Sequence, residues 1–389
     1  NPTVLERTRA EYGMNLIRGA SNLIEDVARL RTGAPPAGME AFRVGETVAA
    51  TPGKVVHRTR LAEIIQYAPT TGRAHPEPIV IVPAWIMKYY ILDLSAKNSL
   101  VRYFVGQGFT VFMISWKNPT DEDRDLGMDE YRRLGVMAAL DAIGAIVPNR
   151  RVHGVGYCLG GTLLAATLAY LAARNDDRIQ TATYFVTLVD FTDVGDMAVF
   201  IDEEQLAILE KRMRSRGYFA AHDMALAFNM LRANDLIWSF VVSNYLLGKQ
   251  PIPFDFLYWN ADSTRMPATM HSFYLRNMYH ENRLVIPGGI SFAGVPIDLT
   301  RIKTPTFLLS TREDHIAPWQ STYAVTQLYK GPTKFVLADS GHIAGVISPP
   351  GSKYGHWQNP NLPKSPAEWF ETARLVQTSW WLAWEEWVS

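Results

Sequence analysis

The stretch Gly156-Tyr-Cys-Leu-Gly-Gly161 restricts the fold of this chain more than any other part of its sequence. The apolar run Arg151–Gly156 that leads into it is typical of a buried strand, and Thr162–Ala173 after it is typical of a buried helix. A sharp turn from strand to helix leaves no room for side chains beside its tip, so glycines flank that position. Cys158, at the tip, is the single cysteine among the 389 residues.

A strand, the pattern G-x-nucleophile-x-G and a helix together form the nucleophile elbow of α/β-hydrolase enzymes. A lone cysteine is usually a small buried hydrophobic residue. The glycines on both sides of Cys158, at a strand-to-helix turn, favour a nucleophile instead. A thiol in the place of the usual serine favours acyl transfer through a thioester over plain ester hydrolysis.

Strand and helix patterns alternate through most of the chain, which predicts a mostly parallel central sheet with helices on both faces. Helical patterns such as Ser99–Gly108 and Met128–Val147 separate the strands, while Lys54–Thr59 and Glu63–Tyr67 alternate like a short antiparallel pair. The strands of the sheet are predicted at Pro78–Pro83, Thr110–Trp116, Val152–Cys158, Thr181–Phe191, Pro305–Thr311 and Lys334–Ala338.

This alternation stops in residues 192–298, which are rich in methionine, aromatic residues and helical patterns. An insertion after the sixth strand of an α/β-hydrolase sheet is usually a helical cap over the active site. We therefore predict the end of an N-terminal domain at residues 1–40, an α/β-hydrolase core at 41–191 and 299–389, and a cap at 192–298.

The two ends of the chain are both predicted to be helical. Residues 1–33 carry apolar side chains at helical spacing, and residues 366–388 are expected to close the chain as one helix after a loop at 341–363. Because the chain begins at Asn1 and not at Met, we expect a further segment before it. The last helix is strongly aromatic, and we expect most of the following side chains to pack on the core: Trp380, Trp381, Trp384 and Trp387.

A thiol at the elbow needs a base and an acid, and α/β-hydrolases carry them in the chain order nucleophile, acid, histidine. Asp314 and His342 follow the last two predicted strands in that order, so Cys158, Asp314 and His342 are the candidate catalytic residues. Asp190 and Asp193 are rival acids, because they follow the sixth predicted strand. The agreement of position and order favours Asp314.

The chemistry of this assignment follows from the thiolate being the nucleophile of a cysteine. His342 can accept the thiol proton of Cys158, and the N-terminus of the helix that starts at Leu159 stabilises a negative sulfur. A tetrahedral oxyanion needs two backbone N–H donors. We expect them from Leu159, directly after the nucleophile, and from Trp85 in the loop that follows the strand Pro78–Pro83.

Glu313-Asp314-His315 could suggest a metal ligand set, but no second cluster in the sequence completes it. We therefore predict no metal and no cofactor. His315 and His153 are interpreted as structural, the latter because it lies inside the strand that leads to the elbow.

Composition excludes several other classes. The 38 basic and 38 acidic residues give no net charge, which removes the electrostatic case for nucleic-acid binding. A single cysteine excludes an intrachain disulfide, a Cys-x-x-Cys pair and a thiolate zinc site, and a free thiol fits a reducing cytoplasm. The uncharged segment Gly154–Ala173 is long enough for a membrane span, but its glycines favour a buried strand and helix, so no transmembrane segment is expected.

From about Ala41 to Trp387 the motifs of the chain resemble those of polyhydroxyalkanoate synthases. The elbow Gly156–Gly161 resembles the lipase-box variant of that family, and the motif set is similar to its class I, short-chain type. The other segments that carry the resemblance are Val82–Asp93 in the oxyanion loop, Leu188–Phe191, Leu231–Trp238 and Tyr258–Asn260 in the cap region, and Arg312–His315 and Ser340–Gly345 around the aspartate and the histidine.

The resemblance implies an acyltransferase that polymerises (R)-3-hydroxyacyl-CoA, above all 3-hydroxybutyryl-CoA, into polyester with release of CoA. It implies that Cys158 carries the acyl chain as a thioester and that His342 deprotonates it. It also leaves two roles open for Asp314, which either orients His342 or helps to activate the substrate 3-hydroxyl. A cytoplasmic homodimer at the surface of polyester granules is the expected state.

Two other readings of the sequence differ in class. The first is a cysteine-nucleophile α/β-hydrolase that acts on small esters, similar to dienelactone hydrolases, although this chain of 389 residues is longer than such a fold needs. The second is a non-catalytic protein of the granule coat with a degenerate site, against which the intact set of Cys158, Asp314 and His342 argues.

Overall fold

The computed structural model describes residues 1–32, 34–231, 233–250 and 254–389, with backbone alone at 227–229, 231, 235 and 236. The proline pair at Pro251-Ile-Pro253, a break in the helical patterns of the cap, lies outside the described residues.

A ten-stranded sheet with the order β1-β2-β4-β3-β5-β6-β11-β12-β13-β14 forms the centre of the molecule. Neighbouring strands are parallel from β4 to β12 and antiparallel at both edges. The strands of this sheet are β1 (Lys54–Arg58), β2 (Ala62–Tyr67), β3 (Ile79–Val82), β4 (Val111–Trp116), β5 (Val152–Tyr157), β6 (Ile179–Phe185), β11 (Thr306–Thr311), β12 (Thr333–Ala338), β13 (His356–Gln358) and β14 (Arg374–Val376). Two small antiparallel sheets pair β7 (Tyr218–Phe219) with β8 (Met266–Pro267) and β9 (Ser291–Phe292) with β10 (Val295–Pro296).

Every residue of β3, β5 and β11 is buried, as expected for parallel strands that are covered on both faces. The described residues between β6 and β11 contribute no strand to the ten-stranded sheet, so the chain leaves the sheet after its sixth strand. The predicted α/β-hydrolase fold with an insertion at this point is therefore confirmed, as is the antiparallel pair of β1 and β2.

Helices surround the sheet and make up most of the inserted segment. They are α1 (Pro2–Ala10), α2 (Met14–Thr32), α3 (Leu100–Gly106), α4 (Met128–Tyr131), α5 (Ala138–Ile146), α6 (Leu159–Ala173), α7 (Glu203–Arg216), α8 (Ala221–Leu231), α9 (Asp255–Ala261), α10 (Ala268–Tyr274), α11 (Trp319–Tyr323), α12 (Val325–Leu328), α13 (Pro366–Glu371) and α14 (Trp380–Val388). Wider π-helical turns continue the helices at Arg132–Met137, Asn234–Trp238, Val241–Leu246 and Leu275–His280. Shorter 3-10 turns occur at Met39–Ala41, Tyr89–Leu92, Asp121–Asp123, Gly195–Phe200, Arg283–Val285 and Leu299–Arg301.

The prediction of one closing helix at residues 366–388 was wrong. The chain instead forms α13, the edge strand β14 and α14, because β14 pairs with β13 across a fold-back that sequence periodicity does not reveal. The predicted strand Thr181–Phe191 was also too long. It ends at Phe185, where Val186 adopts a φ of 46°, a conformation that a β-branched residue rarely takes within a strand.

The prediction of a single amphipathic helix at residues 1–33 was wrong in a similar way. Tyr12 and Gly13 both have positive φ, and this break separates α1 from α2. The polar edge of α2, and not its apolar face, is buried: Asn15 and Asn22 have at most 9% of their surface exposed, whereas Ile24 is 70% exposed.

The buried edge of α2 packs on residues 241–249 of the inserted segment. The Asn15 side chain donates a 2.7 Å hydrogen bond to the carbonyl of Leu246, and the hydroxyl of Tyr245 donates one of 2.7 Å to Asp26. Gly19 lies against the backbone of Tyr245 so closely that an added Cβ would sit 1.7 Å from its oxygen. The N-terminal helix therefore contacts the predicted cap, and the contact depends on a glycine.

The tryptophans of the last helix pack on the core. Trp380, Trp381 and Trp384 are at most 1% exposed, as expected from the sequence. Among the residues that the structure describes, no helix has the length and apolar character that a membrane crossing requires.

Candidate active site

Cys158 lies at a strained turn between β5 and α6. Its φ of 51° and ψ of −120° are rare for a residue with a side chain, and such strain persists where the surrounding structure enforces it. The enforcement is steric: a Cβ on Gly156 would come within 2.3 Å of the Gly161 Cα. The elbow therefore requires glycines on both sides of the cysteine, as the sequence pattern predicts.

Gly160 brings the start of α6 against the loop after β3. A Cβ at this position would lie 2.0 Å from the carbonyl oxygen of Val82 and 2.6 Å from that of Pro83. Leu159 is the first residue of α6, so its N–H has no acceptor within the helix. The loop that contains Trp85 begins directly after Pro83, which brings the two predicted oxyanion donors to adjacent segments.

His342 connects the cysteine to the aspartate. Its Nδ1 lies 2.7 Å from Oδ2 of Asp314, and because a carboxylate accepts hydrogen bonds, Nδ1 carries the proton. The same ring lines one cavity together with Cys158, whose charge acts on its pKa. The structure thus brings together the three side chains that the sequence predicts as nucleophile, base and acid.

Asp314 is held firmly behind the imidazole. Its Oδ1 accepts hydrogen bonds from the backbone N–H groups of Ile316 at 2.9 Å and Ala317 at 2.8 Å, and none of its side-chain surface is exposed. The rival Asp190 is engaged elsewhere, since its Oδ1 accepts hydrogen bonds from Thr192 and from Asn282. The other rival, Asp193, accepts a hydrogen bond from the Gly195 N–H. Geometry therefore supports Asp314, which the sequence favoured over both rivals.

The charges around His342 favour its protonated form. Burial alone lowers the pKa of the imidazole, but the negative charge of Asp314, the nearby Cys158 in its ionised form and the hydrogen bond to Asp314 raise it, to about 10. An imidazole in this setting holds a proton taken from the thiol.

A cavity of about 440 Å³ lies over Cys158 and His342. This volume is within the range of small-molecule sites. Its wall is mostly apolar, and the cap contributes Trp259, Asn260 and Tyr279 to it. The remaining wall residues include Ile86, Met87, Glu313, His315, Ile316, Ser340 and Ile343.

Three cap residues in this wall were not assigned a role from the sequence. Trp259 and Asn260 belong to a segment that had been noted for its resemblance to a family motif, whereas no sequence signal pointed to Tyr279. Burial and the nearby charge of Cys158 raise the pKa of Tyr279, so its hydroxyl stays protonated beside the cavity.

The two histidines interpreted as structural lie in different places. His153 is buried inside β5, where its Nδ1 is 2.8 Å from the Thr181 hydroxyl and burial lowers its pKa to about 4. His315 lies in the cavity wall.

Comparison with known proteins agrees with the fold and adds a family. Residues 77–349 match the model of the α/β-hydrolase fold, and residues 1–104 match that of the poly-β-hydroxybutyrate polymerase (PhaC) N-terminus. A solved structure of DcsB in complex with its substrate analogue is 15% identical, with a TM-score of 0.48 over 77% of this chain and 94% of that chain.

Two curated relatives cover the whole of this chain. The poly(3-hydroxyalkanoate) polymerase of Methylorubrum extorquens is 48% identical over 100% of this chain and 65% of its own length. The poly(3-hydroxyalkanoate) polymerase subunit PhaC of Cupriavidus necator is 40% identical over 100% of this chain and 67% of its own length. The chain thus spans about two thirds of the length of these curated relatives.

The sheet, the elbow and the order of the three polar side chains define an α/β-hydrolase-fold protein with a cysteine at the nucleophile position. At this identity over its full length, the chain belongs to the poly(3-hydroxyalkanoate) polymerase family.

Proposed function

We propose that this chain polymerises (R)-3-hydroxyacyl-CoA into a polyester and releases CoA, with Cys158 as the covalent carrier. The observation that carries the proposal is the pair of Cys158 and His342 in one apolar cavity under the cap, with Asp314 hydrogen-bonded to the imidazole, in a member of this family. The similarity of the motif set to the family's class I, short-chain type supports a short acyl group, such as 3-hydroxybutyryl.

In the loading step, His342 takes the thiol proton of Cys158 and the sulfur attacks the thioester carbonyl of the substrate. The N–H groups of Leu159 and Trp85 are the proposed donors to the oxyanion that forms. As the intermediate collapses, the carbon–sulfur bond to CoA breaks, and the CoA sulfur takes the proton from His342. One thioester replaces another, so the acyl group keeps its reactivity.

In the elongation step, the 3-hydroxyl of a second 3-hydroxyacyl-CoA attacks the Cys158 thioester while His342 takes the hydroxyl proton. An ester bond forms, the bond between the acyl carbon and the Cys158 sulfur breaks, and the proton returns to the thiol. The product is a longer acyl-CoA that can load Cys158 again. Each cycle then releases one CoA and leaves the enzyme unchanged.

We assign Asp314 the role of orienting His342, not that of contacting the substrate hydroxyl. Its side chain is fully buried, one carboxylate oxygen bonds the imidazole and the other bonds two backbone N–H groups. A carboxylate with both oxygens engaged behind the ring stabilises the imidazolium and fixes its tautomer.

The cap supports polymerisation over hydrolysis because it covers the thioester. Water at Cys158 would release the chain as an acid, and a site that excludes water prevents this side reaction. Trp259 and Tyr279 cover the cavity from the cap side. We further propose a cytoplasmic homodimer in contact with the polyester granule. The exposed apolar side chains of α2 and the cap, such as Ile24 and Trp238, support such a contact.

A thiol-release assay with two substrates tests the function. With (R)-3-hydroxybutyryl-CoA we expect many equivalents of CoA per chain and an insoluble polyester. With butyryl-CoA, which lacks the attacking hydroxyl, we expect about one equivalent, bound as an acyl group on Cys158. Parallel runs with 3-hydroxyhexanoyl-CoA measure the preference for chain length.

The control is Cys158→Ala, which is expected to release no CoA with either substrate because the nucleophile is gone. Continuous release from butyryl-CoA without polymer would identify a hydrolase and overturn the proposal. Release at the parental rate by Cys158→Ala would overturn the assignment of the nucleophile.

A further inference from the structure

The cap is joined to the oxyanion loop by a dense set of polar contacts. Each contact connects a residue of the cap segment 259–264 with one of the loop segment 85–90. The contacts are Trp259 Nε1 to the Lys88 carbonyl at 2.8 Å, the Thr264 N–H to the Ile86 carbonyl at 3.0 Å, the Thr264 hydroxyl to the Trp85 carbonyl at 2.8 Å, the Tyr90 hydroxyl to the Asp262 carboxylate at 2.7 Å, and a backbone bridge between Met87 and Ser263.

Thr264 holds the part of this loop that matters for the chemistry. It is 1% exposed, and it bonds two consecutive carbonyls of the loop, through its N–H to Ile86 and through its hydroxyl to Trp85. These two carbonyls hold the peptide planes between residues 85 and 86 and between residues 86 and 87. The Trp85 N–H, the predicted second donor to the oxyanion, lies in the preceding plane, which meets the first of them at the Trp85 Cα.

The cap also contacts the side chain of Trp85. Its ring is fully buried and packs edge-on against Tyr274 of the cap, with the centroids 5.5 Å apart. The cap therefore contacts the residue that carries the oxyanion donor on both its main chain and its side chain.

We propose that Thr264 is a positioning residue of the cap that holds the loop from the Trp85 Cα onward and thereby places the Trp85 N–H for oxyanion binding, so that the acyl-transfer site is complete only when the cap is docked. The substrate in this inference is taken from the proposed function, whereas its geometry comes from the contacts above. A donor that is preorganised for the oxyanion lowers the barrier of acyl transfer, whereas a displaced donor does not.

Three variants test the proposal. Thr264→Val removes the hydroxyl and keeps the shape, and Thr264→Ser restores the hydroxyl. Thr306→Val is the matched control, because Thr306 is also fully buried and its hydroxyl also bonds a backbone carbonyl, that of Thr304 at 2.9 Å, at the start of β11.

Each variant is measured with two acyl donors and one alkylating agent. The donors are 4-nitrophenyl butyrate, followed by the burst of nitrophenol, and (R)-3-hydroxybutyryl-CoA, followed by CoA release. Alkylation of Cys158 by iodoacetamide needs the thiol and His342 but forms no oxyanion, so it reports the integrity of the site apart from the loop.

For Thr264→Val we expect acylation to slow by about 10- to 100-fold, with KM nearly unchanged and the alkylation rate equal to that of the parent. Thr264→Ser is expected to recover most of the rate, and Thr306→Val to acylate at the parental rate. Trp259→Phe, which removes the bond to the Lys88 carbonyl, provides a second test if Thr264→Val is poorly soluble. A smaller loss of the same kind is expected for it.

Parental acylation by Thr264→Val and by Trp259→Phe would overturn the inference. So would an equal loss of acylation and alkylation, or a serine variant as slow as the valine variant, because either result indicates a general structural defect. A parent chain that shows the nitrophenol burst but releases no CoA would overturn the proposed function, and the Thr264 comparison would still be decided by the burst.

Discussion

The core and the cap of this protein are built on different principles. In the core, β3, β5 and β11 are buried along their whole length. Cys158 follows β5, Asp314 follows β11, and His342 follows the neighbouring strand β12. In the cap, the 14-residue helix α7 buries only Leu206 and Met213.

The two parts of the cap differ in how they contact their neighbours. Among the described residues of 203–246, few apolar side chains are buried and Trp238 stays 59% exposed, whereas Met270 and Met278 belong to the same apolar cluster as the core. Hydrogen bonds also join the cap to the oxyanion loop and to α2. Segments with few buried apolar contacts open at lower free energy than a packed core. We therefore predict a rigid core and a first part of the cap, residues 203–246, that can separate from it, as the proposed CoA thioester substrate would require.

The largest expected effect distinguishes the acid in the core from its rival. Asp314→Asn removes the negative charge beside His342, and we expect CoA release to fall by about 100- to 10,000-fold because the imidazolium loses its partner. Asp190→Asn is the matched control and should stay within a few-fold of the parent. The measurement is kcat for CoA release, with circular dichroism to show that both variants are folded.

Equal losses of CoA release in the two aspartate variants would mean that Asp314 is not the acid that acts on His342. The comparison between core and cap would then lose its basis, because the chemistry would depend on the segment after β6.

A smaller effect is expected where α2 meets the cap. Gly19→Ala places a Cβ against the backbone of Tyr245, and we expect it to destabilise this contact by about 1–3 kcal/mol. Hydrogen exchange should then speed up in α2 and in residues 241–249, with the central strands unchanged. Gly144→Ala in α5 is the control: its Cβ meets no atom within 4 Å, so alanine should be neutral or slightly stabilising.

If Gly19→Ala accelerated exchange in the central strands as much as in the cap, the two regions would unfold together. Full protection of residues 203–216 in the parent chain would likewise argue against a cap that opens.

The last prediction concerns pH, and it uses one buried histidine from each region. Burial lowers the pKa of His271 in the cap to about 3 and that of His153 in the core to about 4. An unfolded histidine takes up its proton near pH 6.5, so the folded state loses stability as the pH falls from 6.5 towards 4. We expect each imidazole to cost about 2 kcal/mol at pH 5 relative to pH 7.5.

Urea unfolding of the parent, His271→Leu and His153→Leu at the two pH values measures these costs. Each variant should lose less stability on acidification than the parent. In the parent, the loss of stability caused by His271 should appear at pH 5 as faster hydrogen exchange in α10 and the rest of the cap. An acid response that is unchanged in both variants would show that neither imidazole stays neutral in the folded protein.

Much of the core could be predicted from the sequence because its signals are local. A buried parallel strand is a short apolar run, and an elbow is a fixed pattern of glycines around one residue. The order of Cys158, Asp314 and His342 along the chain then follows from the order of the strands. These features depend on neighbours within a few residues of each other, so a single sequence contains them.

The assignment of the acid lay at the limit of this reasoning. Asp190 and Asp314 both follow a strand, and the sequence could rank them but not measure their distance to His342. The 2.7 Å contact of Asp314 decides between them because folding brings together two loops that are 28 residues apart.

What the sequence determined by itself was the sheet, the elbow and the kind of chemistry that its cysteine can perform. The tertiary structure alone decided that α2 buries its polar edge on the cap, that β13 and β14 extend the sheet, and that Thr264 fixes the loop of Trp85. The Thr264 contact joins residues 179 positions apart. The reason is physical: periodicity records which face of an element is apolar, whereas the partner of that face, and of each polar group, is selected by the folded chain.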